Sequence, residues 1–393
     1  MRSSSRSAAL LITFGLFGIL WGAMAVTLTD IARDLELSAG AVGIVASIAT
    51  IGSLPTMLWS GRMAERFGTG PLAACSAVGL AAGLLLVALV AHGPVTLVAA
   101  MFVLFGASGA HDVAINAAAV GFERARQRPV MSYLHALFSL GGVAGALGAG
   151  GLLSSGLGFR AILAAVGVAV LVLAAGLAVT GLPSSGQASD GGGALRLLAG
   201  QPLLLLLAAV CAAVFLSEGA MENWSAFYLR TELAAPALLG STGTALFHAT
   251  MFAGRMAGGR VVARFGNLRT LRWAGVLVVA GVLLATSTRS VPVVLAGFAL
   301  VGLALSVGFP VALSVTGQLV PHSTGSAVAA VTMVGYAGFL LGPALFGGLA
   351  ELTSLRAAFL VFVVTGSFLT VAAVVLGRRR PAEAPVAPPR RAG

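Results

Sequence analysis

The sequence predicts an all-α membrane protein with twelve transmembrane helices in two pseudo-symmetric six-helix bundles. Three observations predict it. The 393 residues are 58% hydrophobic and only 9% charged, against about 25% charged in an ordinary soluble domain, so the folded surface must face lipid. Apolar runs long enough to cross a bilayer core, about 20 residues of helix for about 30 Å, recur along the whole chain. The chain also repeats itself. Gly22-Ala23-Met24 returns as Gly219-Ala220-Met221, Gly61-Arg62 with Arg66-Phe67-Gly68 returns as Gly259-Arg260 with Arg264-Phe265-Gly266, and Arg160-Ala161 returns as Arg356-Ala357. Matches in order at offsets of 197, 198 and 196 residues imply a transporter built from two parallel repeats.

Span 1 (residues 9–29) follows Arg2 and Arg6 and has the look of a cleaved leader, but its Gly-Ala-Met recurs inside another span, so it is expected to be retained. Span 2 (40–60) runs into the Gly61–Gly68 turn, and span 3 (71–91) follows it. Span 4 (94–120) carries His111, Asp112 and Asn116. Span 5 (131–155) is glycine-rich, with Gly141, Gly142, Gly145, Gly148, Gly150 and Gly151 set for close helix contact. Span 6 (160–181) closes the first bundle. Span 7 (202–229) carries Glu218 and Glu222, and span 8 (236–258) carries His248 and Arg255. Spans 9 (270–287) and 10 (291–316) follow. Span 11 (323–350) holds Gly338, Gly342-Pro343, Gly347 and Gly348, and span 12 (355–377) ends before Arg378. The expected division is an N-terminal bundle at 1–181, a Gly- and Ser-rich cytoplasmic linker at 182–201, a C-terminal bundle at 202–380 and a disordered tail at 381–393.

All 23 basic residues are arginine. With the N-terminus inside, 17 fall on cytoplasmic segments and five (Arg33, Arg160, Arg230, Arg289, Arg356) on outer loops. That bias puts both termini in the cytoplasm of a multi-pass bacterial inner-membrane protein. The net charge of +11 does not imply nucleic acid, because the arginines are scattered between apolar runs. Cys75 and Cys211 lie in or beside such runs and suggest neither a disulfide framework nor a metal site. No nucleophile–base pair, metal cluster or phosphate loop suggests an enzyme, and no cofactor is expected beyond a proton as coupling ion. The expected partners are a small-molecule substrate and the lipid bilayer, with the protein a monomer.

Gly61-Arg62-Met63-Ala64-Glu65-Arg66-Phe67-Gly68 resembles the short cytoplasmic loop motif of the major facilitator superfamily, with Glu65 for the usual Asp and Thr69-Gly70 where basic residues normally follow. The resemblance covers essentially the whole chain. It implies that Gly61, Glu65, Arg66, Gly68 and, in the second copy, Arg264 form a cytoplasmic gate, with Glu65 capping a helix of the other half, as suits an acid at a helix N-terminus. It also implies that spans 1, 4, 7 and 10 line a central cavity. Arg128 to Gly142 and Glu218 to Leu229 are similar to the MosC/YbjJ-like bacterial branch, where an acid usually stands at the place of Asn223 and here stands one place earlier, at Glu222. The superfamily's antiporters carry a Gly-Pro motif on span 5. Here Ala146 occupies the Pro position, and Gly342-Pro343 appears on span 11.

Ionisable residues inside spans cost several kcal/mol unless they face a cavity or a partner, and so mark function. Asp112 and Asn116 share one helix face at i and i+4, as do Glu218 and Glu222. At ~1.5 Å per residue, Asp112 lies roughly 25 Å from the outer end of span 4, and His135 roughly 6 Å from the inner end of span 5. Two polar levels are therefore expected: Asp112, Asn116 and His135 toward the cytoplasm, and Glu218, Glu222 and His248 at the centre and above. Glu218, Asp112, Glu222 and His135 are the proton-coupling candidates, because buried carboxyls and histidines can exchange protons near neutral pH. Glu218, Glu222, Asn116, Asn223, His248, Trp21, Trp224 and Tyr228 are the substrate-binding candidates, the tryptophans through stacking on a cation. His111 is expected to face lipid or a neighbouring helix, Arg255 to snorkel to the cytoplasm, and Trp224 and Tyr228 to reach the interfacial belt. The function expected is proton-coupled transport of a small polar or cationic organic solute by alternating access, with export favoured. A non-transporting receptor or scaffold, or an importer of a sugar- or inositol-like solute, is the alternative.

Overall fold

The computed structural model describes residues 2–126, 130–183, 198, 200–320 and 324–379, and among them there are helices and no strands. The tail and nearly all of the linker lie outside the described residues. Span 1 is Arg2–Asp34, span 3 Thr69–Leu89, span 4 Pro94–Arg126, span 5 Met131–Ser154 and span 6 Phe159–Thr180. Span 7 is Pro202–Thr231, span 8 Ala237–Phe265, span 9 Asn267–Thr286 and span 11 Thr324–Leu352.

Three spans are broken. Span 2 consists of Ala39–Ile51 and Ser53–Phe67, and span 10 of Val291–Leu305 and Gly308–Leu319. Each of these breaks falls about four residues before a proline, Pro55 and Pro310, whose ring crowds the carbonyl one turn back. Span 12 is a short turn, Leu355–Ala358, followed by Val361–Arg379.

Eleven helices, broken spans being joined, are long and apolar enough to cross a membrane. The remaining long helix is span 8, whose 29 residues are diluted by small and polar side chains on the faces that meet neighbouring helices. Ser241 packs on Gly150 of span 5, and Thr244 bonds Ser225 of span 7 at 3.1 Å. Successive spans run antiparallel, so the start of span 1 and the end of span 12 lie at one face, the terminal face, opposite a distal face. Spans 2, 4 and 8 extend beyond the apolar runs, to Phe67, Arg126 and Phe265, as helices continue past the hydrophobic stretch.

Two of the three repeated motifs do one structural job twice. Gly68 (φ 89°) and Gly266 (φ 78°) end spans 2 and 8 in backbone conformations that a side chain would strain. Their N–H groups close the last turn onto Ala64 and Val262. Arg160 donates to the carbonyls of Ala88 and Ala91 at the end of span 3, both at 3.0 Å, and Arg356 donates to Thr286 at the end of span 9 at 2.6 Å. Each arginine thus satisfies helix-end carbonyls that lack intrahelical partners. Gly22 lets span 1 pack on the backbone of span 5 at Gly142, while Gly219 faces the Phe339 ring of span 11. Buried apolar side chains form one large cluster from spans 1–6 and another drawn mainly from spans 7–12. A small seam of Ala23, Val26, Ala146, Ala149, Ile162, Ala226 and Ala245 lies between them.

Candidate functional site

Spans 1, 2, 4, 5, 7, 8, 10 and 11 surround a cavity of about 390 Å³. It reaches Met131 and Ser132, the first residues of span 5, and so opens toward the terminal face. Nine aromatic side chains line it: Phe14, Phe17, Trp21, Phe105 and Phe138 from the first half, and Phe215, Phe309, Tyr336 and Phe339 from the second. The polar groups set among them are few, and most are tied to one another.

Arg255 does not snorkel. It sits ten residues before the end of span 8, about 15 Å along the axis, beyond the reach of its own stem to water at that end. It turns into the cavity, where its Nη2 donates to Glu218 Oε1 at 2.8 Å. Its Nη1 donates to Ser139 Oγ at 2.6 Å and to the His135 carbonyl at 3.3 Å. Both side chains of the ion pair are 15% exposed. Arg255 therefore joins the two expected polar levels, bridging Glu218 of one half to span 5 of the other.

Asp112 lines the cavity and is held on both oxygens. Asn116 Nδ2 donates to Oδ1 at 2.9 Å, and the Tyr336 hydroxyl donates to Oδ2 at 2.8 Å from across the cavity. Asn116 is thus a support for Asp112 and does not line the wall, a correction to its expected place in solute binding. Tyr336 was not among the candidates, although a phenol inside an apolar, glycine-rich span is a signal in itself, since its hydroxyl must find a partner. His135 lines the cavity, with its ring edge-on to Phe14 at 5.6 Å.

Glu218, Glu222, Asn223 and Trp21 also line the cavity. Asn223 donates to the Gly219 carbonyl at 2.8 Å, and Trp21 packs edge-on to Phe105 at 4.9 Å. His248 does not reach the cavity. It is buried behind Glu222, with Nε2 at 3.5 Å from Glu222 Oε1. Trp224 and Tyr228 are placed neither in the cavity nor in an interfacial belt. Each is 1% exposed, Trp224 stacked on Phe346 and Tyr228 edge-on to Phe298 and Phe359. They lie on the face of span 7 turned into its own bundle, away from Glu218 and Glu222. Of the two places open to His111, lipid or a neighbour, it takes the second, packed between Phe17 and the Ser76 hydroxyl, 2.9 Å from its Nδ1.

A family model described as Major Facilitator Superfamily matches residues 10–243 and 224–393. The chain belongs to this superfamily. An uncharacterised MFS-type transporter of Yersinia pestis is 31% identical over 360 residues, covering 90% of this chain and 91% of the relative. The membrane protein MosC of Rhizobium meliloti is 27% identical over 374 residues, 95% of this chain and 90% of its own. Among solved structures, the nucleoside transporter NupG superposes with a TM-score of 0.75 at 14% identity over 94% of this chain and 98% of that one. A bacterial homologue of the human lysosomal transporter Spinster, in an inward-facing and occupied conformation, superposes with a TM-score of 0.71 at 16% identity over 96% and 98%. The resemblance in the Gly61–Gly68 turn and in the MosC-like segments thus extends to the whole transporter.

The transporter is closed at its distal face. Arg230, 5% exposed, donates to both oxygens of Asp30, at 2.8 Å through Nη2, and to the Val26 carbonyl at 3.1 Å. This ties span 7 to span 1. Glu351 at the end of span 11 accepts the Gly40 N–H at 3.0 Å, at the N-terminus of span 2, where an acid is electrostatically favoured. Nearby, Gly43 lies so close to span 11 that a Cβ would meet the Pro343 carbonyl at 2.5 Å. The acid-on-helix latch expected of Glu65 is therefore found at the opposite face, in Glu351. Glu65 is exposed and makes no ion pair or hydrogen bond among the described residues. Arg66 and Arg264 lie over the rings of Phe67 and Phe265, at 5.2 and 5.5 Å, and Gly61 faces open space.

Proposed function

We propose that this secondary transporter is proton-coupled and moves a small organic solute bearing a positive charge, by rocking of its two halves around the central cavity. We place it in the bacterial cytoplasmic membrane as a monomer with both termini cytoplasmic, so that the open terminal face is the inner one, and we expect export. The observation that carries the reading is the Glu218–Arg255 pair, 2.8 Å apart in a wall of aromatic rings. A carboxylate in such surroundings must be neutralised before the cavity can close dry. Arg255 supplies that neutralisation here. A proton from water, or the cationic head of a solute, can take its place and free Arg255 from Glu218. Exchange among these partners is the elementary step of coupling.

The lining holds three carboxyls, Asp112, Glu218 and Glu222, against one arginine, and faces of aromatic rings attract cations. A polyol would leave several hydroxyls without partners against the rings, at a cost of about 1–3 kcal/mol each, which weighs against a sugar- or inositol-like solute. A scaffold without transport would gain from apolar replacements for the buried pair, which weighs against that alternative.

The test uses proteoliposomes with a pH-sensitive dye inside and outward or inward gradients of phenethylamine, choline, glucosamine or myo-inositol. The amines are expected to move protons, and Glu218→Gln to abolish that flux. Proton flux unchanged in Glu218→Gln, or driven by myo-inositol alone, overturns the reading.

A further inference from the structure

Glu222 lines the cavity one turn from Glu218, and His248 is buried behind it. His248 Nε2 faces Glu222 Oε1 at 3.5 Å, and both atoms are buried without a hydrogen-bond partner among the described residues. An unsatisfied buried polar atom is costly, and here two of them point at each other. A single proton between them satisfies both, whichever residue carries it.

The charged groups nearest the pair have partners of their own. From span 5 come the Phe138 ring, 6.0 Å from the imidazole centroid, and Gly142, where a Cβ would stand 2.6 Å from the ring; His135 of that span sits about two turns nearer the terminal face. Span 10 has no ionisable residue, and Arg269 and Arg272 of span 9 are at its terminal end. On span 7, Glu218 one turn below is engaged by Arg255 of span 8, and Arg230 two turns above is engaged by Asp30 of span 1.

The pair also straddles the moving parts. Glu222 lines the cavity, whereas the His248 ring, in the second half, seats on Gly142 of the first half in the closed distal seam. We propose that Glu222 and His248 bind one shared proton at a site separate from the solute-contacting Glu218–Arg255 pair. The proton enters at His248 when the distal seam parts from Gly142 and leaves through Glu222 into cavity water when the seam is closed. This rests on the proton-coupled reading above and adds a second proton carrier beside Glu218.

Potentiometric titration of the purified protein, with no solute present, counts the protons bound between about pH 4 and pH 10. Glu222→Gln and His248→Gln are each expected to bind one proton fewer than the wild type, and the double variant also only one fewer. A loss of two in the double variant, or no loss in either single variant, overturns the proposal. If a variant does not fold, infrared difference spectra of the wild type decide: a carboxyl band and a histidine ring band changing at one common pH support it, and bands changing at separate pH values overturn it. No solute enters either measurement, so failure of the transport reading registers separately.

Discussion

Arg255→Leu is expected to be far more damaging than Glu218→Gln, although the two residues form one ion pair. Arg255 donates to three acceptors, Glu218, Ser139 and the His135 carbonyl. Its loss leaves Glu218, only 15% exposed, as an unpaired buried carboxylate, the kind of break that costs about 3–5 kcal/mol. Glu218→Gln keeps an accepting oxygen, and Arg255 keeps its bonds to span 5, so the cost is that of a charged hydrogen bond weakened to a neutral one, about 1–2 kcal/mol. Because the amide of Glu218→Gln carries no charge to strand, the double variant is expected to cost less than the sum of the single ones by about 2 kcal/mol. The measurement is a double-mutant cycle by unfolding of the detergent-solubilised protein. Additivity within about 0.5 kcal/mol would show that the two side chains do not act as a pair and that Arg255 reaches water after all.

Tyr336→Phe removes the donor that spans the cavity to Asp112 at 2.8 Å and is expected to cost about 1.5–3 kcal/mol. It is also expected to widen the distance distribution between spin labels on spans 4 and 11 at the terminal face; an unchanged distribution contradicts a cross-cavity tie. Gly142→Ala puts a methyl 2.6 Å from the His248 ring and is expected to spread the distal seam, read as faster thiol labelling of a cysteine introduced at Ser241. Equal labelling rates mean the contact is not tight. Glu123→Ala loses the carboxylate that accepts the Val130 and Met131 N–H groups at 2.8 and 3.0 Å. It is expected to lower stability by about 0.5–2 kcal/mol, as for a lost helix cap, with cavity binding of choline unchanged; a loss of binding alone speaks against a capping role.

The spans and their pairing were legible because lipid demands long apolar helices and because duplication left its marks at helix ends, where Gly68, Gly266, Arg160 and Arg356 are required twice. Glu218, Glu222, Asp112 and His135 were legible because a polar group inside a span has few places to go. Glu218 and Glu222 at i and i+4 already marked the cavity face of span 7. Trp224 and Tyr228, each six residues further on, stand about 120° away from them; their expected place in an interfacial belt followed from residue type and overlooked that angle. Partners that come together only in three dimensions were hidden. Nothing in sequence links Tyr336 to Asp112, Arg255 to Ser139, or Glu351 to Gly40. The motif directs attention to Glu65 for the latch, but a helix N-terminus is equally available at Gly40 on the other face.

The distal closure has a consequence for how solute is perceived from the two sides. Opening that face must break the Arg230 bonds to Asp30 and the Glu351 bond to Gly40, while the terminal side must be closed by a turn whose acid, Glu65, stands without basic residues after Gly68. Each 1.4 kcal/mol by which the distal bonds outweigh the terminal ones makes the distally open form about tenfold scarcer. A solute arriving from the distal face then binds with an apparent affinity reduced by that same fraction, even though it would touch the same rings and carboxyls. One set of contacts thereby serves as a strong site toward one compartment and a weak one toward the other.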